Sequence, residues 1–207
     1  MALWLNIHPD NPQARLIRQV TDVVRQGGVI VYPTDSCYAL GCHLGDKAAA
    51  DRLRRIRRFD KHHLFTLVCR DLSDLATFAR VDNAQYRSLK ALTPGPYTFV
   101  LKATQQAPRR LLHEKRKTIG LRIPEHQITQ HLLEALGEPL LSCTLQLPDA
   151  DGPVQDLEAV REQLEHQVDV IIDGGDCGLE PTTVIDMSGP APELIRQGRG
   201  QADWLFD

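Results

Sequence analysis

No run in this 207-residue chain is long and apolar enough to span a bilayer, and Asn6, His8 and Asp10 interrupt the region where a secretory leader would be apolar. Membrane and exported proteins are therefore not expected, and a cytoplasmic location is. The five cysteines, Cys37, Cys42, Cys69, Cys143 and Cys177, are odd in number and contain no C-x-x-C pair. That pattern argues against a disulfide framework or a zinc knuckle and suits reduced, partly buried thiols. Both common nucleotide fingerprints are missing as well: no G-x-G-x-x-G follows a strand, and there is no G-x-x-x-x-G-K-[ST] loop. Any bound nucleotide must then be held by side chains and strand ends, which puts weight on arginine.

Positive charge is nearly lacking from residues 125–207, which hold 3 Lys+Arg against 17 Asp+Glu, whereas residues 1–124 hold 21 against 10. The net charge of −3 hides this polarity. Within the basic part, one patch comprises Arg52, Arg54, Arg55, Arg57, Arg58 and Lys61, and another Arg109, Arg110, Lys115, Arg116 and Lys117. Taken singly, each patch is better read as a solvated helix face or a charged loop. Two such patches opposed by an acidic half point to an anionic partner, nucleotide or nucleic acid.

The chain is long enough to bury a good core as one domain, expected over residues 7–199 without a second domain. Asn11-Pro12 predicts a helix from about residue 12 to 26, ended by Gly27-Gly28. Val29–Tyr32 reads as a buried strand, and Pro33, which cannot donate to a ladder, stops it. A helix starts at Asp46, pointing Ala49, Leu53 and Ile56 inward and most of its arginines outward. Leu64–Cys69 is a core strand, and short helices begin near Asp71 and Asp82. Further strands are predicted at Tyr97–Lys102, Thr118–Ile123, Leu140–Leu145, Val168–Ile172, Thr182–Met187 and Glu193–Arg196. Helices are predicted at His126–Leu136 and from Asp156 to about Glu165. Interleaved strands and helices predict an α/β (α+β) domain with a large twisted mixed sheet covered by helices.

After Pro33 comes a polar cluster, Thr34, Asp35 and Ser36. Ligands of open α/β sheets sit at such strand ends, but a turn satisfying its own backbone is the simpler reading of these residues alone. The segments GGVIVYPTDSCYALG (27–41), TPGPYT (93–98), TIGLRIP (118–124), DVIIDGG (169–175), PTTVID (181–186) and LIRQG (194–198) together resemble the YrdC/YciO family of threonylcarbamoyl-adenylate synthase-like proteins. They occur in family order across nearly the whole chain, which looks most like the shorter YciO branch.

The resemblance implies a YrdC/RibB-like domain with a positively charged groove. It also implies nucleotidyltransferase chemistry that condenses L-threonine, bicarbonate and ATP into threonylcarbamoyl-AMP and pyrophosphate for modification of adenosine 37 in tRNA. Carboxylate, bicarbonate and triphosphate are all anionic, so such a site needs cations and oriented donors. By the resemblance, Thr34 orients threonine, Arg122 pairs with its carboxylate, and Tyr38 and Thr183 complete the substrate pocket. Arg57, Thr144, Gln146 and Arg196 lie toward the ATP, with Arg57 and Thr34 the catalytic candidates.

The departures from the family pattern predict a weak or altered activity. The K-x-R motif becomes Arg57 and Phe59, the S-x-N triplet becomes Thr144-Leu145-Gln146, and Tyr-Gly-Leu becomes Tyr38-Ala39-Leu40. A guanidinium does not substitute for an ammonium point charge at phosphate, and phenylalanine supplies no charge. The alternative is a double-stranded RNA-, tRNA- or nucleotide-binding protein without turnover, using Arg52, Arg54, Arg55, Arg58, Lys61, Arg109, Arg110, Lys115, Arg116 and Lys117. The pair His62-His63 lacks a third ligand and reads as surface rather than as a metal site. Mg²⁺ is expected only as the companion of ATP, held by phosphates and water.

Overall fold

The computed structural model describes residues 1–60 and 63–205. In chain order its elements are β1 (Leu3–Asn6), α1 (Ala14–Arg25), β2 (Ile30–Tyr32), β3 (Ala39–His43), α2 (Lys47–Arg57), β4 (Thr66–Val68), α3 (Leu72–Phe78), α4 (Asn83–Leu92), β5 (Tyr97–Lys102), β6 (Thr118–Arg122), α5 (Gln127–Leu136), β7 (Leu140–Thr144), α6 (Arg161–Leu164), β8 (Val170–Asp173), β9 (Thr183–Asp186) and β10 (Glu193–Arg196). The strands form one sheet in the order β1-β8-β2-β3-β7-β4-β6-β5-β9-β10. Parallel pairs such as β1/β8, β4/β6 and β5/β9 alternate with antiparallel pairs such as β3/β7 and β5/β6, so the sheet is mixed, as expected.

Several boundaries differ from the sequence expectation. Asn11 and Pro12 do not cap α1, which begins at Ala14 behind Gln13 and has no side-chain cap. The Asn11 amide is instead drawn to Nδ1 of His8 at 3.2 Å. Asp71, Asp82 and Asp46 do cap their helices, and Asp82 with Gln85 closes a full capping box. The helix expected from Asp156 shrinks to Arg161–Leu164, because Asp156 spends its carboxylate on the Glu158 and Ala159 amides of a preceding turn. Strands β1 and β3 lie outside the predicted set.

Side-chain alternation divides the core between the sheet's two faces. Ile30, Tyr32, Val170 and Ile172 pack with Ile17, Val20, Val24, Ile128 and Leu132 of α1 and α5 on one face. Val29, Val31 and Ile171 point to the other, with Leu53 of α2, Leu75 of α3 and Leu89 of α4. Burying a side chain of this kind contributes roughly 1.5–3 kcal/mol each before conformational entropy is counted. The α1/α5 layer has a limit. Its cluster takes residues from β2 and β8 and single residues from β1, β3, β4 and β7, but none from β5, β6 or β9. The same face of those strands carries Thr98, Val100, Gly120, Arg122 and Val184, which line a cavity instead.

Candidate functional site

This uncovered half-face forms the floor of a cleft of about 340 Å³. Register explains its composition. Thr66 lies opposite Gly120 on one side and Ser142 on the other, Val68 opposite Arg122, Val100 opposite Gly120, Thr98 opposite Val184, and Ala39 opposite Thr144. One face of neighbouring strands is thus small or hydroxylated, while Leu67, Leu121, Phe99, Leu101 and Leu141 on the other are fully buried hydrocarbon. Among the described residues no carboxylate lines the cleft, and four arginines do: Arg57, Arg116, Arg122 and Arg196.

The four guanidiniums differ in what already occupies them. Arg116 bonds Asp186 at 2.7 Å. Arg122 is held by Asp35, with both side chains only 10% exposed. Its Nη2 also donates to Ser36 Oγ at 2.9 Å and Thr34 Oγ1 at 3.2 Å, while its buried Nε makes no hydrogen bond. Arg196 donates to the Thr182 carbonyl at 2.8 Å, and Arg57 donates to the Gln146 carbonyl; neither has a carboxylate partner among the described residues. The buried Nε of Arg57 and the hydroxyl of Thr118 are likewise without a hydrogen bond.

Arg57 and Phe59 owe their placement to the end of α2. Arg58 adopts a left-handed conformation (φ 49°) past the helix, and the Phe59 amide returns to the Arg54 carbonyl at 2.9 Å. This turn aims Phe59 into the cleft wall. Arg57 lies 4.7 Å over its ring, and His63 stacks on it at 3.4 Å. Burial draws the Arg57 guanidinium below its ordinary pKa, against the pull of the neighbouring Cys143 thiol. Burial also pushes the Cys143 thiol up to about 12, with Arg57 opposing, and raises Cys37. Both cysteines of the cleft wall are therefore neutral thiols at pH 7 rather than nucleophiles.

Of the residues singled out from sequence, Arg57, Tyr38, Arg122, Thr144, Gln146 and Arg196 line the cleft. Tyr38 is anchored there, its hydroxyl donating to the Gly175 carbonyl at 2.6 Å and accepting from the Gly174 amide at 3.3 Å. Thr34 is not among the lining residues. Its buried hydroxyl donates to the Cys37 carbonyl at 2.6 Å and receives the Ser36 and Cys37 amides, so the cluster after Pro33 is a self-satisfied turn clamped by Arg122. Thr183 is also off the cleft. It points through the opposite face of β9, where its hydroxyl bonds the Gly200 carbonyl and accepts the Gly198 amide. The preceding Thr182 faces the cleft and shares a 2.9 Å hydrogen bond with Thr98.

The basic patches are partly neutralised. Arg52 bonds Asp169, Arg54 bonds Asp51 and Arg58 bonds Asp149, in addition to Arg116 with Asp186. Arg110 donates to the Leu44 carbonyl at 2.6 Å. Arg55, Arg109, Lys115 and Lys117 are exposed, and Lys61 and His62 lie outside the described residues. Among the described residues no three metal-ligating side chains converge, and no helix is long and apolar enough to cross a membrane.

His126, at the start of α5, adds a pH dependence. Burial holds its pKa below the ordinary value, Asp35 and Asp10 opposing and Arg122 assisting; burial also lowers His63. The unfolded chain then takes these protons first, so the histidines' contribution is complete above about pH 6.5 and is lost as pH falls through the folded values. Urea midpoints are expected to fall between pH 7 and pH 5, with a smaller fall in His126→Gln. Asp71 and Asp186, whose pKa values are lowered, act only in a more acid range, below about 4.

Comparison with known proteins shows the family. The family model Sua5_yciO_yrdC, described as telomere recombination, matches residues 22–198. The chain belongs to the Sua5/YciO/YrdC family. Within this family an uncharacterized Haemophilus influenzae protein is 57% identical over 201 residues, 97% of each chain. Escherichia coli YciO, also described as uncharacterized, is 56% identical over 200 residues. The crystal structure of E. coli YciO matches with a TM-score of 0.93, covering 97% of this chain and 98% of that one. A threonylcarbamoyl-AMP synthase of Vibrio vulnificus is 30% identical over 187 residues, 88% of this chain and 98% of its own. P. abyssi Sua5, solved in complex with L-threonine, is 24% identical with a TM-score of 0.87 over 95% of this chain and 58% of its own, a likeness of fold.

Proposed function

We propose that the cleft binds ATP together with a small carboxylate such as L-threonine and carries a weakened or altered form of threonylcarbamoyl-adenylate synthesis. The observation that carries this reading is a cleft that, among the described residues, is lined by no carboxylate and by four arginines, two of them without a carboxylate partner. A site assembled only for stability would pair those charges, as Arg116 and Arg122 are paired. Family membership and the likeness to a threonylcarbamoyl-AMP synthase at 30% identity support this choice of chemistry.

In this reading Arg57 and Arg196 attract the phosphates, and Thr98, Thr118, Thr144 and Thr182 offer hydroxyls along the floor. Arg122 meets the amino acid's carboxylate end-on, because Nη2 is occupied and only the rest of the guanidinium remains available. Thr34 acts through Arg122, which it helps to position, rather than on the substrate directly. Among the described residues the lining offers no carboxylate to Mg²⁺, so a Mg²⁺ brought by ATP would be held by phosphate and water. No step is assigned to it.

The test is to incubate the purified protein with ATP, L-threonine and bicarbonate and to assay threonylcarbamoyl-AMP and pyrophosphate, with ATP binding followed by calorimetry. Expected are measurable ATP binding that Arg196→Ala weakens, and slow adenylate formation. Absence of both overturns the reading. ATP binding without product favours the second reading, a binding protein without turnover, motivated by the exposed Arg55, Arg109, Lys115 and Lys117.

A further inference from the structure

We propose that the protein has a second anion site, separate from the cleft, which takes a compound bearing a chain of phosphates. The site is a cavity of about 720 Å³ where the chain after α3, the end of β5 and the start of β6 converge. It shares no lining residue with the cleft, so the proposal stands independently of the function assigned there.

Three cations line it, Arg80, Arg109 and Lys117, together with Thr104 and Gln105, and among the described residues no acidic side chain does. Among the described residues no ion pair ties any of the three to a carboxylate. Arg25, Arg52, Arg54, Arg58, Arg70, Arg116, Arg122 and Arg161 by contrast each meet an Asp or Glu. Three unpaired like charges around one concavity repel one another, a cost that a bound anion reverses.

Backbone hydrogen bonds set the positions of the cations. The Arg80 amide bonds the Lys102 carbonyl at 2.8 Å, and the Ala103 amide bonds the Lys117 carbonyl at 3.0 Å. Lys117 itself is in a left-handed conformation (φ 54°) that closes the 113–117 turn, its amide on the His113 carbonyl at 2.9 Å. The frame that presents the charges is therefore assembled before any ligand arrives, which reduces the ordering cost of binding. A duplex nucleic acid spreads its phosphates along a ribbon and needs an extended basic face. Cations gathered around a single hollow suit a short, dense run of negative charge, as in tripolyphosphate or a nucleoside triphosphate.

The test is calorimetric titration with tripolyphosphate at low and moderate salt. It compares the wild type with Arg80→Gln/Lys117→Gln, with the charge-keeping Lys117→Arg, and with the cleft variant Arg57→Ala/Arg196→Ala. Neutralising two of three cations is expected to weaken one binding event at least about tenfold. Lys117→Arg and the cleft variant are expected to retain that event. Arg80 and Lys117 are exposed and their side chains make no recorded bond, so the double variant should fold; circular dichroism checks that it does. Tripolyphosphate binding that vanishes only in the cleft variant overturns the site, as does no binding at all. A short RNA duplex that binds through Arg80 and Lys117 where tripolyphosphate does not would also overturn it, and would reassign the hollow to nucleic acid.

Discussion

Replacing Arg122 by methionine is expected to lower the unfolding free energy by about 3–5 kcal/mol, the range for removing one partner of a buried ion pair. Both members of the Arg122–Asp35 pair are only 10% exposed, so solvent screens the interaction little. The loss extends beyond one contact. Arg122 also holds the hydroxyls of Thr34 and Ser36, and Asp35 accepts the Glu125 amide at 3.0 Å, joining the turn after β2 to the segment before α5. Asp35→Asn offers one acceptor oxygen where Asp35 uses two, Oδ1 for Arg122 and Oδ2 for the Glu125 amide, so it should lose one of these bonds together with the charge. The double variant should lose less than the sum of the two, because the second change removes a charge already stranded by the first. Urea denaturation at pH 7 reads this as a lower midpoint at unchanged slope. A loss below about 1 kcal/mol, the value of an exposed pair, would mean that Asp35 does not hold the guanidinium. Arg122 would then be open to a substrate carboxylate along both edges.

This pair also shows where the sequence was readable and where it was not. Caps and terminators are local chemistry, so Asp46, Asp71 and Asp82 marked their helix starts correctly, and Pro33 ended β2. Strand β3 reads Ala-Leu-Gly-Cys-His, too small and mixed for a strand pattern. It forms because β2 and β7 flank it, and Gly41 leaves room for the Tyr32 ring, which would stand 2.8 Å from a Cβ there. β1 is an edge strand held by β8, which lies more than 160 residues away in the chain.

The arginines of the cleft are plain in the sequence, but their partners are not. Nothing local says that Asp35 neutralises Arg122 while Arg57 meets a carbonyl, since both contacts cross long stretches of chain. One signal did exist. Thr66/Val68, Thr98/Val100, Gly120/Arg122 and Ser142/Thr144 put small or polar residues at every second position of strands whose other face is hydrocarbon, and period two assigns them to a common side. The same alternation separates Thr182 from Thr183 and would have preferred Thr182 for the site.

The second large effect concerns Phe59. If the chemistry proposed for the cleft is limited by a missing phosphate donor, Phe59→Arg should raise adenylate formation by roughly 10- to 150-fold, equivalent to the 1.5–3 kcal/mol of one charge-assisted hydrogen bond formed in the transition state. Two effects act together in that variant, because Phe59 also holds Arg57 by its ring face at 4.7 Å. A cation–π contact of this kind is worth about 0.5–2 kcal/mol depending on desolvation, so its removal alone could free Arg57 for phosphate. Phe59→Leu separates the two, as it removes the ring without adding charge. A gain confined to Phe59→Arg identifies the absent cation as the limit. Equal gains in both variants identify the capture of Arg57, and Arg57→Ala should then abolish the gain in Phe59→Leu. If neither variant changes the rate while ATP still binds, Phe59 is not what restrains the cleft and the binding reading prevails. The stacked His63 offers an internal control: losing the ring's cover in Phe59→Leu should let its lowered pKa move back toward the ordinary value, whereas the new guanidinium of Phe59→Arg opposes that return, as Arg57 and Arg54 already do.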